Sequence, residues 1–595
     1  IKPLSLRGKQ QLATFSPDSR KVAFVRENNL FWVDVENMEE KQLTFDGEYN
    51  KIINGAPDWV YEEEFGFNKA FVWSVDSEKI GFYRFDESHV KQFNMTMYEG
   101  LYPEWYKFKY PKAGERNSIV QIFVANLNSG EVKMMDTGEE KDQYIPRIKW
   151  TQDPDILCIV RLNRLQNHFE ILHTSAETGT SVIVYEETEE KYVSEVSDQM
   201  ITYLDNGEEF LLISEREGWN SIYLYNFKTG EISNVTEPGY DVKDLYGYDK
   251  ETKTVYYSSQ ERGSKYLDTY SVKLNVGKKK RITDNAGWNT TDFSNGFKYY
   301  INKWSSINTP SLITLHQANG REIRTLENNS QLKQRMINHN FAKTEFFEFS
   351  TPYDVLLKGY IIKPNDFDPG KKYPLFMYVY GGPESQNVQD RFNAHRGAWL
   401  QYLVQQGYIV ACLDNRGTNG RGEDFRKSTY LQLGKYETED QIAAAKFLRD
   451  KDYIDEDRIG IFGWSYGGYM SLLCLFKGAD VFSMAISVAP VTNWRYYDTI
   501  YTERFMRTPQ ENPEGYDENS PIFFTDRMRG KLLLIHGMGD DNVHFQNSAE
   551  LVKALVDSDK QFESQFYPNK NHGIYGGNTT FHLYSRMTDF IIENL

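Results

Sequence analysis

Serine, aspartate and histidine follow one another, at turn-like positions, in the last quarter of the sequence. Ser465 stands in Gly463-Trp464-Ser465-Tyr466-Gly467, with the apolar β-run 459–462 before it and the apolar, helix-like segment 469–476 after it. Strand, Gly-x-Ser-x-Gly and helix in this order describe a nucleophile elbow, whose glycines remove side chains that would collide in so tight a turn. The hydroxyl is thereby lifted above the end of a sheet, at the start of a helix. A serine hydroxyl is a weak nucleophile unless a base takes its proton and an acid orients the base. Downstream, the run 532–536 enters Gly537-Met538-Gly539-Asp540-Asp541-Asn542, which places an acid just past a strand end. A further strand, 562–567, leads to Asn571-His572-Gly573. His536 falls within or beside a strand and His544 follows the acidic loop. Only His572 sits on a loop after another strand with glycine beside it, and it is the candidate base. The transition state also needs hydrogen-bond donors for its oxyanion. The backbone N–H of Tyr466 supplies one, and the phenol of Tyr380, at a strand end before Gly381-Gly382, is a second candidate if it is not a core tyrosine. One such donor is worth about 3–4 kcal/mol of barrier.

The elements around these residues form a second pattern. The character of the chain changes near 341–355. Strand-like runs at 356–363, 373–380, 407–414, 481–488 and 531–536 then alternate with helical stretches such as 437–450. Strands alternating with helices predict a mostly parallel sheet covered on both faces, here an α/β-hydrolase over 344–595.

Residues 1–343 read as strand after strand. Phe15-Ser16-Pro17-Asp18-Ser19-Arg20-Lys21-Val22-Ala23-Phe24 returns as Trp73-Ser74-Val75-Asp76-Ser77-Glu78-Lys79-Ile80-Gly81-Phe82, with weaker echoes from Trp150, Tyr203, Tyr248 and Asp292. About six such units, several strands each, predict β-propeller blades rather than a pair of sandwiches. Between Trp73 and Trp150 lies an insertion, 92–114, rich in Tyr, Trp and Pro. Asp58-Trp59-Val60-Tyr61-Glu62-Glu63-Glu64-Phe65 puts three carboxylates beside aromatic rings. It is either the solvated side of a short helix or an anionic clamp for an ammonium group.

At 595 residues the chain needs more than one core, and its 15% aromatic content without low-complexity tracts marks a folded protein. A net charge of −17 argues against nucleic acid or an anionic membrane as the main partner. Cys158, Cys412 and Cys474 lie in apolar runs without metal-ligand spacing, so they read as buried thiols. No run of about 18 apolar residues is present to span a membrane. The chain opens at Ile1 with neither Met nor a signal-like segment, the expectation for a processed or truncated product.

Four stretches carry a resemblance: 58–64, 463–469, Trp494-Arg495-Tyr496-Tyr497-Asp498-Thr499-Ile500-Tyr501-Thr502-Glu503-Arg504, and His536 to Phe545. With them the chain resembles the prolyl oligopeptidase family of serine peptidases from about Gln11 to Leu595. The resemblance implies a propeller capping the hydrolase, and release of N-terminal Xaa-Pro, less readily Xaa-Ala, dipeptides without cofactor or metal. It selects Asp540 over Asp541 for the triad with Ser465 and His572, and Tyr380 with the Tyr466 amide for the oxyanion hole. It assigns Glu63 and Glu64 to the substrate ammonium, Val491, Trp494, Tyr497 and Tyr501 to the proline pocket, and Asn542 to the carbonyl of the substrate's second residue. A free amino terminus is cationic near neutral pH, and a proline ring is flat, apolar and without an N–H, so both assignments make chemical sense. Asp498 favours the exopeptidase branch over an endopeptidase relative. An esterase of the same fold has no use for the clamp. The family also implies a homodimer. The departures are Phe67, where relatives carry serine, fewer blades than the family's eight, and an upstream arginine that would lie before Ile1. The lack of the disulfides of animal relatives implies a bacterial, periplasmic or secreted protein.

Overall fold

The computed structural model describes residues 3–194, 196–274 and 276–595, the side chains of 394–396 excepted; Ile1 lies outside the described residues. Six antiparallel sheets of four or five strands occupy 11–42, 52–134, 143–188, 201–234, 242–281 and 288–327. In the first two sheets the repeated motif marks the turn that follows the strands Gln11–Phe15 and Phe71–Trp73. Ser16 and Ser74 each donate to the aspartate two residues on and accept the N–H five residues on, from Lys21 at 3.0 Å and Lys79 at 2.9 Å. The aromatic residue before the turn stitches neighbouring blades. The Trp73 indole donates to the Thr14 carbonyl at 3.2 Å, and the Trp150 indole to the Val72 carbonyl at 3.1 Å. Sequence repetition is therefore repetition of a joint, as stacked units that share a core require.

The insertion folds as a separate two-stranded arm, Gln92–Met97 paired with Glu104–Lys109. The motif 58–64 forms a short helix, α1 (Trp59–Glu64), capped by Asp58, whose carboxylate accepts the Tyr61 N–H at 3.1 Å.

A second architecture follows. Eight strands form one sheet: β1 (Thr344–Ser350), β2 (Leu356–Ile362), β3 (Tyr373–Val379), β4 (Ile409–Asp414), β5 (Ile454–Trp464), β6 (Met484–Val488), β7 (Lys531–Gly537) and β8 (Glu563–Tyr567). Their order is β1-β2-β4-β3-β5-β6-β7-β8, antiparallel at β1 and β2 and parallel from β4 to β8. Alternation along the strands sends Met377, Ile461 and Leu534 into one core and Phe376, Phe462 and Ile535 into the other, so both faces are buried. All three cysteines are buried and none forms a disulfide.

The two parts meet at helix α3 (Thr499–Met506). Arg164, in a propeller hairpin, grips Glu503 with two bonds of 2.8 Å, and Gln166 joins the Ile500 carbonyl at 2.7 Å and the Arg504 guanidinium at 2.8 Å. The Ala113 N–H donates to the Tyr497 carbonyl at 2.9 Å, and the Thr499 hydroxyl to Asn117 at 2.5 Å.

Candidate active site

β5 ends at Trp464 and helix α2 (Tyr466–Lys477) begins at once, leaving Ser465 alone in the turn. Its backbone sits at φ 60°, ψ −121°, a strained region for a residue with a Cβ. The flanking glycines show why the motif is needed. A Cβ on Gly463 would lie 2.1 Å from the Gly467 carbonyl oxygen, and one on Gly467 would lie 2.2 Å from that of Val379. The strain is held by hydrogen bonds from the Ser465 N–H to the Val488 carbonyl, 2.8 Å, and from the Tyr469 N–H to the Ser465 carbonyl, 3.0 Å. The first amides of α2 have no partner within the helix and share its positive end, which makes the Tyr466 N–H a donor for developing negative charge.

Asp540 lies just past the end of β7 and is fully buried. Its carboxylate accepts from His572 Nδ1 at 2.7 Å, His536 Nε2 at 3.2 Å, the Asn542 N–H at 3.0 Å and the Val543 N–H at 2.9 Å. Burial works against ionisation, but the two histidines and their hydrogen bonds outweigh it and hold Asp540 at about 2. For His572, burial favours the neutral ring, yet Asp540, Glu63 and Asp541 raise its basicity above the ordinary imidazole value. The ring keeps 26% of its side-chain surface exposed, and its backbone carbonyl accepts from the indole of Trp464, next to the serine. His536 is a fully buried partner of Asp540, a role the sequence pattern left unassigned. Tyr380, at the end of β3, is half-buried. Burial and the nearby Glu64 and Glu63 push its phenol up to about 12, so it stays a neutral donor.

The three carboxylates of α1 part company. Glu62 is exposed, Glu63 reaches the Asn542 amide at 2.5 Å, and Glu64 is buried at 8% exposure with the Tyr497 hydroxyl 3.5 Å away. Burial, with Asp498 beside it, raises Glu64 well above the usual carboxylate range, and burial likewise raises Asp498. Asp498 caps α3 by accepting the Tyr501 N–H at 3.0 Å. It stands inside the acidic pocket, beyond the two glutamates that the resemblance assigns. The aromatic box lies alongside. Trp494 stacks on Tyr501 at 5.8 Å, Tyr497 meets Tyr501 edge-on at 5.5 Å, and Val491 is buried in the same cluster. Asn542 links box to clamp, accepting from the Tyr497 hydroxyl at 2.8 Å while it donates to Glu63. Phe67 packs against Tyr61 and Tyr83 with the Arg147 guanidinium 5.4 Å above its ring.

Residues 1–311 match the model described as the dipeptidyl peptidase IV N-terminal region, and 395–595 match that of the prolyl oligopeptidase family. The chain belongs to the prolyl oligopeptidase family. Among solved structures it is similar to Porphyromonas gingivalis dipeptidyl peptidase 4, with 43% identity and a TM-score of 0.97 over 100% of this chain and 84% of that one. It is 33% identical to dipeptidyl peptidase 4 of Felis catus and 33% identical to prolyl endopeptidase FAP of Bos taurus, each over 98% of this chain and 79% of the relative. Within this family frame, the stretches 58–64 and 494–504, distant in sequence, form one continuous wall through α1 and α3.

Proposed function

We propose that this protein is a serine exopeptidase that releases Xaa-Pro, and less readily Xaa-Ala, dipeptides from the amino terminus of peptides. The observation that carries the reading is the bridge made by Asn542, which joins the carboxylate of Glu63 to the rim of the aromatic box at Tyr497. A cation site and a flat apolar pocket side by side suit a charged terminus followed by a proline ring. In this reading the ammonium sits between Glu63 and Glu64. The second side chain fills the box of Val491, Trp494, Tyr497 and Tyr501, and the Asn542 amide turns from Glu63 to the first carbonyl rather than the second, because the second residue's carbonyl is the one that Ser465 attacks. Ser465 attacks the next carbonyl as His572 takes its proton, and Asp540 stabilises the imidazolium that results. The oxyanion rests on the Tyr466 N–H and the Tyr380 phenol. The imidazolium then protonates the leaving amine, and water activated by the same histidine frees the dipeptide.

An endopeptidase reading shares the pocket, but Asp498 adds a further carboxyl group to the clamp and favours substrates with a free amine. Homodimerisation through the arm is part of the proposal. Leu101 at its tip is 93% exposed, with Tyr102 and Trp105 beside it, and an exposed apolar cluster of this kind suits a protein partner. A periplasmic or secreted location in a bacterium is part of the proposal and rests on the lack of the animal relatives' disulfides. The test is parallel turnover of a Gly-Pro anilide, its N-acetylated form and a simple acyl ester. Cleavage of the free-amine substrate at least a hundredfold faster than the blocked one is expected, and equal rates would overturn the exopeptidase reading.

A further inference from the structure

His544 belongs to the loop that carries Asp540, yet it is fully buried and neither ring nitrogen has a hydrogen-bond partner. Leaving a buried polar group unpaired costs about 1–3 kcal/mol, so the site must gain something from the ring itself. Burial, reinforced by Lys112, lowers its basicity to about 3, and the imidazole is a neutral flat plate. That plate is held from the propeller side. Phe93, in the first strand of the arm, stacks on it at 3.6 Å and 7°, and Tyr110 and Phe108 lie against it at 4.2 and 5.8 Å. The arm also grips the other catalytic loop. The Tyr98 N–H donates to the Asn569 side chain at 2.7 Å, and the Asn569 amide returns a bond to the Tyr98 carbonyl at 3.0 Å. Asn569 is three residues before His572. The two loops touch as well, the Gly539 N–H donating to the Lys570 carbonyl at 2.9 Å.

We propose that the 92–109 arm is a strut that sets the distance between Asp540 and His572, with Phe93 and Asn569 as positioning residues for the proposed reaction. One end of the strut fixes the acid's loop by ring stacking, and the other fixes the base's loop by a paired hydrogen bond. Neither residue reaches the reacting atoms. Their effect is on the orientation of the imidazole, where a misplacement of about 1 Å costs on the order of 100-fold. The inference rests on the triad assigned above, and a separate readout keeps the two apart: Ser465→Ala abolishes turnover if that triad is right, whatever the arm does.

The test is steady-state kinetics of the full chain with a Gly-Pro anilide and an acyl ester. Phe93→Ala should lower kcat about 10- to 100-fold with KM within about twofold, on both substrates alike. The acid limb of the kcat/KM profile should move to lower pH, because an imidazole released from Asp540 loses the charge that raises its basicity. Phe93→Tyr and His544→Phe each keep two flat rings in contact and should recover the rate. Asn569→Gly, chosen because Asn569 has φ 58°, removes the clasp without backbone strain and should shift the same limb. If Phe93→Ala does not fold, Asn569→Gly carries the test alone. A folded Phe93→Ala or Asn569→Gly enzyme with parental kcat and an unmoved acid limb overturns the proposal, as does a loss confined to KM.

Discussion

Replacing Glu64 with glutamine keeps the volume of a buried side chain and removes its charge. In the free protein, burial and Asp498 hold Glu64 above the ordinary carboxylate range, so part of what an incoming ammonium gains goes into keeping the pair ionised. A desolvated, hydrogen-bonded charge pair is worth about 2–5 kcal/mol when one partner is removed. Keeping it ionised takes back about 1.4 kcal/mol for each unit by which the pKa exceeds the working pH. Glu64→Gln should therefore cost less than the full pair, about 1–4 kcal/mol or roughly 5- to 900-fold in kcat/KM near pH 7. The loss should appear with a Gly-Pro anilide and be absent with a small acyl ester, which uses only the triad and the oxyanion hole. For the parent, kcat/KM should rise with pH through the titration of His572, raised above 6.5, and of the Glu64–Asp498 pair. It should fall again as the substrate amine deprotonates near about 8. In the glutamine variant the alkaline fall should flatten, because a neutral amine is then held nearly as well as a charged one. Parental kcat/KM on the free-amine substrate, or an equal loss on the ester, would refute the clamp.

Three further outcomes are expected. Ser465→Ala should lose about six orders of magnitude in kcat, since members of a triad act as a unit, and a serine-directed phosphonate should label Ser465 alone in the parent. Tyr497→Ala should change the Pro/Ala ratio of kcat/KM by about 1–3 kcal/mol, whereas Tyr497→Phe, which keeps the ring and loses only the hydroxyl's contacts with Asn542 and Glu64, should keep the ratio and raise KM. An unchanged ratio in Tyr497→Ala would remove that ring from the pocket. Gly467→Ala drives a methyl group to 2.2 Å from the Val379 carbonyl oxygen, so the elbow must shift. A lower Tm, by the few degrees that 1–3 kcal/mol brings, should accompany loss of both peptidase and esterase rates. A parental melting curve with parental rates would mean that the elbow tolerates a side chain there.

The elbow at Ser465 was legible because its requirement is local: glycines two residues either side of a serine, a strand before and a helix after. The blade repeat was legible for the same reason, since Ser16 and Ser74 close their own turns and each new sheet reuses the joint. The alternation of strand and helix after 343 likewise announced the parallel sheet. The three glutamates at 62–64 behave otherwise. They are chemically identical neighbours on one short helix, and only the packing of α3 and of the loop carrying Asn542 against α1 buries Glu64, gives the exposed Glu63 a bond to Asn542 and leaves Glu62 in solvent. The same holds for Asp540 and Asp541, where backbone amides and two histidines converge on the first. His544 carried no readable signal at all. Its neighbour in space, Phe93, lies some 450 residues earlier, and a ring stack between domains leaves no periodicity in either segment. Spacing along the chain reports what a residue does to its own backbone. Burial, charge and partnership belong to surfaces that meet only when the propeller closes over the hydrolase, and those decided which acid is buried, which histidine keeps an exposed ring beside Asp540 and which is a stacked plate.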